Sequence, residues 1–281
     1  MDWKGRRQSS NVEDRRGGGR AAKGGAIGIG TVVILAVYLF LGGDPEVALQ
    51  AVESGAVSSA PASSGSGIDD ESKAFIATVL ADTEAAWSDI FAASGQRYQP
   101  AKLVLFTGAV DSACGYTSAA VGPFYCPGDQ QVYIDLSFYD DLARSYGAPG
   151  DFAQAYVLAH EVGHHIQTLT GVSRQVSDAR RRASEAEANQ LSVLQELQAD
   201  CYAGVWGHRA SKSGLLEAGD LEEGLRAAAA IGDDRLQQQS QGYVVPESFT
   251  HGSSEQRVRW FSEGLKNGSV ERCDTFSASS L

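Results

Sequence analysis

Apolar positions along the chain fall into blocks of different period, and each block predicts an element. Residues 25–43, GAIGIGTVVILAVYLFLGG, form an uncharged apolar run. Its length is close to the roughly 20 residues that an apolar helix needs to cross a bilayer, so one transmembrane helix is expected there. The stretch 44–68 is rich in Ser, Ala and Gly and reads as a flexible linker. Beyond it, Phe75, Val79, Thr83, Trp87, Ile90 and Phe91 recur at helical spacing and predict a helix from Asp69 to about Ser94, capped by Asp69 or Asp70. KLVLF (102–106) reads as a short buried strand and QVYIDL (131–136), which alternates, as another. A loop with room for a hairpin lies between them. DFAQAYVLAHEVGHHIQTL is amphipathic, opens at Asp151 and is stopped by Gly171, predicting a helix over 151–169. Further helices are expected over 184–210, 220–239 and 253–265, with residues 277–281 frayed. Helices dominate and a small sheet sits toward the front, so the fold class is α+β.

Charge adds a topology to this pattern. The formal net charge is -12, but residues 1–24 carry seven bases against three acids. The remainder is strongly acidic, which excludes nucleic acid as a partner because a phosphate backbone would be repelled. The bases precede the apolar run, and Asp44 and Glu46 follow it. By the positive-inside bias, residues 1–24 form a basic cytoplasmic tail and the domain, 69–276, is extracytoplasmic, held at the cell membrane by a single pass. A cleaved signal peptide fits less well, since the basic region is long and no clear small-residue cleavage site follows. Four cysteines in an exported domain suggest disulfides, with three pairings open. Cys114 with Cys126 is the local pairing, and it would leave Cys201 with Cys273.

The second predicted helix carries the sharpest motif. His160-Glu161-Val162-Gly163-His164 fits H-E-x-x-H. Histidines at i and i+4 share a helix face and can share one ion, and the glutamate beside that face can reach a water on it. With five histidines in 281 residues, chance would supply this pattern roughly 0.005 times. Gly163 would let another backbone or the ion come close. His165, about 100° further round the helix, should point away. A catalytic zinc takes three protein ligands and leaves a position open. Glu196, in ELQAD, is the best candidate for the third, with His251 and His208 as rivals. Glu196 shares a helix face with Asp200, and Ala199, Ala203, Gly204 and Gly207 lie on or beside that face, so another helix could pack there. Asp200 would then accept the free N–H of a liganding histidine and fix its tautomer.

HEVGHHIQ, then ELQADCYAG, then FTHGSSEQRVRWF together resemble the bacterial neutral zinc metallopeptidase family. The opening MDWKGRRQSSNVEDRRG, the apolar run and SACGYTSAAVGPFYCPGDQQVYIDLSFYDDL extend the resemblance over nearly the whole chain except the linker. It implies a zincin-like fold, mostly helical with a small sheet and preceded by one transmembrane helix, and a Zn2+ cofactor. The E-x-x-x-D element and the span from His251 to Arg257 also look like those of membrane-associated gluzincin peptidases. That likeness implies Glu196 as third ligand, His251 in transition-state stabilisation and Arg257 in holding the site together. Gly252 stands where those peptidases commonly carry proline.

The expected activity is that of a membrane-anchored zinc metalloendopeptidase acting on peptide or protein substrates. A metal-activated water would attack the peptide bond, with Glu161 as general base and His251 donating to the oxyanion. QVYIDL could offer an edge to an extended substrate or be a plain core strand. The alternative is a catalytically idle, zinc-stabilised envelope protein that acts as a binding scaffold. The intact Glu161 argues against it, since a purely structural site has no use for a general base. Asp233 and Asp234 could end a helix, bond the core or bind a second cation.

Overall fold

The computed structural model describes residues 1–16 and 66–281. Residues 1–16 and 70–281 belong to one compact unit. No helix among the described residues is long and apolar enough to cross a membrane. The run at 25–43 expected to do so, and nearly all of the expected linker, lie outside the described residues.

The strands are β1 (Val12–Asp14), β2 (Lys102–Phe106), β3 (Ala109–Ser112), β4 (Gly115–Ser118), β5 (Phe124–Cys126) and β6 (Gln131–Asp135). The helices are α1 (Ser66–Ala93), α2 (Phe138–Arg144), α3 (Asp151–Leu169), α4 (Val172–Arg180), α5 (Glu185–Lys212), α6 (Asp220–Ala230), α7 (Asp233–Gln241) and α8 (Ser254–Asn267). The mostly helical α+β class holds. One sheet runs in the order β1-β2-β6-β5, and β3 and β4 form a separate hairpin. β1 and β2, and β2 and β6, are parallel, while β5 is antiparallel to β6. Both faces of the sheet are covered. Leu103, Leu105, Val132 and Ile134 enter the main core with the helices, and Val104, Phe106 and Tyr133 pack under the hairpin with Val110 and Cys126. Burial on both faces explains why KLVLF reads as a continuous apolar run rather than an alternating one.

Several expectations are corrected. β6 is paired on both sides, so of the two readings of QVYIDL the plain core strand holds, and the edge beside the helices is β5. The helix expected over 220–239 breaks into α6 and α7, because Gly232 lies directly against the backbone of Ser254 and has no room for a side chain. Residues 277–281 are not free: Arg259 donates to the Leu281 carbonyl and to the Ser280 hydroxyl. Both disulfides form as the local pairing implied, Cys114–Cys126 and Cys201–Cys273.

Residues 1–16 are not a tail. β1 pairs with β2, Val12 opposite Leu103. Trp3 meets Phe75 edge-on at 5.4 Å. Ser9 Oγ and Asn11 Nδ2 donate to the buried carboxylate of Glu84 at 2.5 and 2.7 Å. The Met1 α-ammonium lies 2.9 Å from Asp151 and Glu217 and 3.3 Å from Asp220. Paired strands stand only about 4.8 Å apart. The expectation of a separate basic tail is therefore corrected for residues 1–16, which pack into the same unit as the helices.

Candidate metal centre

The site is built where α3 and α5 press together. A Cβ on Gly163 would lie 2.9 Å from the Ala199 carbonyl oxygen, so the helices meet there through a glycine and an alanine. Ser184 caps α5 in a reciprocal capping box with Glu187, and Glu223 of α6 accepts the Phe152 N–H at the start of α3. This packing sets the inner face of α3 against that of α5. His160 Nε2 lies 3.1 Å from Glu196 Oε2, and His164 Nε2 lies 3.3 Å from Glu196 Oε1. One ligand atom from each of the three lies within 4.8 Å of the others. Around a tetrahedral zinc with bonds of about 2.0–2.1 Å, ligand atoms sit about 3.3 Å apart, so the trio fits that ion. The rival histidines stand outside the cluster. His208 Nδ1 bonds the Leu265 carbonyl at 2.8 Å, and His251 lines the cleft with its Nδ1 against Asp233.

Asp200 and Arg257 both stand against His160. Asp200 is fully buried and accepts from His160 Nδ1 at 2.8 Å, from the Tyr156 hydroxyl at 2.5 Å, and from Arg257 Nε and Nη2, both at 2.9 Å. Burial would raise the Asp200 pKa, but the Arg257 charge and His160 outweigh it and hold the carboxyl down at about 2. Burial likewise opposes charge on His160, and the Asp200 charge, with the bonds to Asp200 and Glu196, carries its pKa up to about 10. The negative field that draws a proton to His160 also draws a divalent cation. His164 is held differently, its Nδ1 lying 2.9 Å from Gln167 Oε1.

Glu161 is buried beside the trio, and burial pushes its carboxyl above the usual carboxylate range against the pull of both histidines. The metal trio and Glu161 lie on a cleft of about 350 Å³ whose other walls include Val121, Phe124, Phe138, Tyr146, Leu236, His251 and Arg257. Val121, 70% exposed, stands at this cleft. His251 Nδ1 faces Asp233 Oδ1 at 3.2 Å, a bond that raises the imidazole's proton affinity and leaves Nε2 free for the cleft. The other Asp233 oxygen collects the N–H groups of Thr250, His251 and Gly252 at 2.7, 2.6 and 3.1 Å. Asp234 accepts from the Ser254 N–H and hydroxyl at 2.7 and 2.8 Å. Both acids thus pin the loop carrying His251. Gly252 has φ +95°, which proline cannot adopt, and donates an N–H that proline lacks. The departure at this position therefore matches the loop built here. His165 turns away from the trio and joins Tyr125 of β5 to the Gln99 carbonyl, at 3.0 and 2.7 Å.

Tyr156, Gln167 and the anchoring role of Asp233 escaped the sequence reading. Tyr156 lies one turn before His160 and Gln167 three residues after His164, so helical spacing from the motif points to both.

The uncharacterized protein YpfJ of Escherichia coli (strain K12) is 50% identical over 287 residues, covering 99% of this chain and all of that protein. Another uncharacterized protein, Rv2575 of Mycobacterium tuberculosis (strain H37Rv), is 46% identical over 188 residues, 63% of this chain and 62% of its own. No solved structure matches the chain. A family model described as "Putative neutral zinc metallopeptidase" matches residues 1–276, from β1 and the metal trio through to the disulfide at Cys273, and the chain belongs to that family.

Proposed function

We propose that the chain is a zinc-dependent metallopeptidase that hydrolyses peptide bonds. The observation that carries this is the convergence of His160 Nε2, His164 Nε2 and the Glu196 carboxylate, with the Glu161 carboxyl beside them at the floor of an open cleft. Zinc bound by the trio would supply a Lewis acid for the attacking water and the scissile carbonyl. Glu161 takes the proton of that water and returns it to the leaving amine. His251, favoured in its protonated form by the bond from Nδ1–H to Asp233, presents Nε2–H as donor to the developing oxyanion. Asp200 and Arg257 keep the His160 ring fixed while charge moves.

The cleft wall suits an extended polypeptide. β5 is an edge strand beside it, able to take a substrate backbone as an added strand. Val121, Phe124 and Phe138 offer apolar surface for a bulky side chain near the scissile bond. The two disulfides support an oxidising compartment for this unit.

The test is the full chain with Zn2+, assayed on an unstructured polypeptide beside Glu161→Gln. Cleavage should fall by about 10²- to 10⁴-fold in the variant at equal zinc content. Zinc bound by both with cleavage by neither would favour the idle scaffold. Failure of the wild-type chain to bind zinc would end both readings.

A further inference from the structure

The two histidines of the trio are steadied by unlike partners. His160 leans on a charged group, Asp200, whereas His164 leans on a neutral amide. The amide cannot by itself decide which ring nitrogen of His164 carries the proton, because an amide turned over would donate instead of accept. The surroundings decide it. Gln167 Nε2 donates to the Gln195 carbonyl at 2.7 Å, and a carbonyl can only accept. Oε1 of Gln167 must therefore be the atom facing His164, and Nδ1 of His164 must be the donor. A second bond repeats the constraint. Gln167 Nε2 also donates to Gln198 Oε1 at 3.1 Å, and Gln198 Nε2 donates to the Cys273 carbonyl at 3.0 Å, again a group that only accepts. Gln167 is fully buried and Gln198 nearly so, so water cannot readily replace these partners. Cys273 is itself tied to α5 by its disulfide with Cys201.

We infer that Gln167 is a positioning residue for the metal centre. Oriented by the Gln195 carbonyl and by Gln198 on the Cys273 carbonyl, it holds His164 in the tautomer whose Nε2 faces the ion. The inference rests on the zinc reading above and extends it to the amide pair and the C-terminal segment that backs it. Loss of the acceptor lets the His164 ring turn and present the wrong nitrogen. Loss of Gln198 leaves Gln167 with one constraint instead of two.

The experiment measures Zn2+ affinity by competition with a chelating dye, on the full chain, together with the unfolding temperature. Partners that orient metal ligands are typically worth roughly 10- to 100-fold in metal affinity. Gln167→Leu removes the acceptor and should weaken zinc binding by that much. Gln167→Glu keeps an acceptor facing His164 and should bind zinc within about threefold of wild type, although it loses the donors to Gln195 and Gln198 and melts lower. A purely structural role predicts that both variants melt lower with zinc affinity unchanged, and that result overturns the inference. If Gln167→Leu does not fold, Gln198→Leu is read in its place. A loss of threefold or more supports the inference, and unchanged affinity overturns it. Wild-type chain that binds no zinc would instead sink the zinc reading itself.

Discussion

Two buried carboxylates organise two regions of this unit, Asp200 at the candidate metal centre and Glu84 under residues 1–16, and they do so with different strength. Asp200 accepts four bonds from His160, Tyr156 and Arg257, and each of those partners is itself buried. Glu84 accepts from Ser9, Asn11 and Arg7, but the Arg7 side chain is 62% exposed and reaches it only at 3.4 Å. The Met1 ammonium is buried against Asp151, Glu217 and Asp220, but the ion pairs of β1 itself, Glu13 with Arg15 and Lys102 and Asp14 with Arg16 and Lys73, are all partly exposed. Exposed pairs contribute about 0–1 kcal/mol each, whereas a buried charge stripped of its partner costs about 3–5 kcal/mol. A similar count of bonds therefore makes one region rigid and leaves the other, a three-residue edge strand with its flanks, able to detach locally. Burial of the partners decides, not their number.

The largest effect that would sharpen this contrast comes from Arg257→Leu. It leaves the Asp200 carboxylate buried without its main compensating charge, and stability should fall by about 3–5 kcal/mol. For a unit of this size that lowers the melting temperature by roughly 6–20 °C, read by circular dichroism in the presence of a chelator. Adding Asp200→Asn to Arg257→Leu should restore part of the loss, because the stranded charge is gone. A single variant that melts with wild type would break the contrast at its stronger end.

The two regions also differ in how far the chain announces them. His160, Glu161, His164, Glu196 and Asp200 could be read because chemistry and helical period coincide. Two four-residue spacings, set by the helix alone, place the candidate ligands and their support on inner faces, and Gly163 marks the close approach of α5. The helix boundaries at Asp151 and Ser184 were readable for the same local reasons, an acidic start and a capping box. β1 was not readable. Val12-Glu13-Asp14 is short and polar, lies among bases, and earns its place only through a strand some 90 residues away that supplies its apolar surroundings. The basic composition of residues 1–24 pointed to a tail because charge patterning carries no information about sheet pairing. The break at Gly232 was hidden for a similar reason, since AAAA continues a helical pattern until the backbone of Ser254, from the next helix, intervenes. Gln167 carries no chemical flag, and its meaning depends on two carbonyls distant in sequence.

A smaller effect should follow from Glu84→Leu. Ser9 and Asn11 lose their shared acceptor, and the unit should lose about 1–3 kcal/mol. The difference from Arg257→Leu lies in where the damage shows. Trypsin should cut at Arg6 and Arg7 under native conditions, while zinc affinity stays at the wild-type value. Intact resistance at both sites would mean that the strand pairing alone secures the segment. A change in zinc affinity would mean that the two regions are coupled and the contrast fails.

The smallest effect is set by acid and concerns the strand itself. Hydrogen bonds from Arg15 and then Lys102 hold the Glu13 pKa down, from 4.5 to about 2, and Arg16 with Lys73 depresses Asp14 in the same direction. A carboxylate with a depressed native pKa stabilises the folded state above its unfolded value and loses that contribution as pH falls through the native one. The pairs of β1 should thus be intact at pH 6 and weaken from about pH 4.5 toward pH 2. The Arg15 N–H, which donates to the Leu105 carbonyl at 2.8 Å, reports on this directly. After correction for intrinsic exchange rates, its protection should drop by about two- to fivefold between pH 6 and pH 3, the range expected of exposed pairs. Amides in the middle of α3 should keep theirs over the same interval, because Asp200 and Arg257 remain charged and buried together. Equal loss in both places would show that acid opens the whole unit at once, and that residues 1–16 are as firmly built in as the helices that carry the metal site.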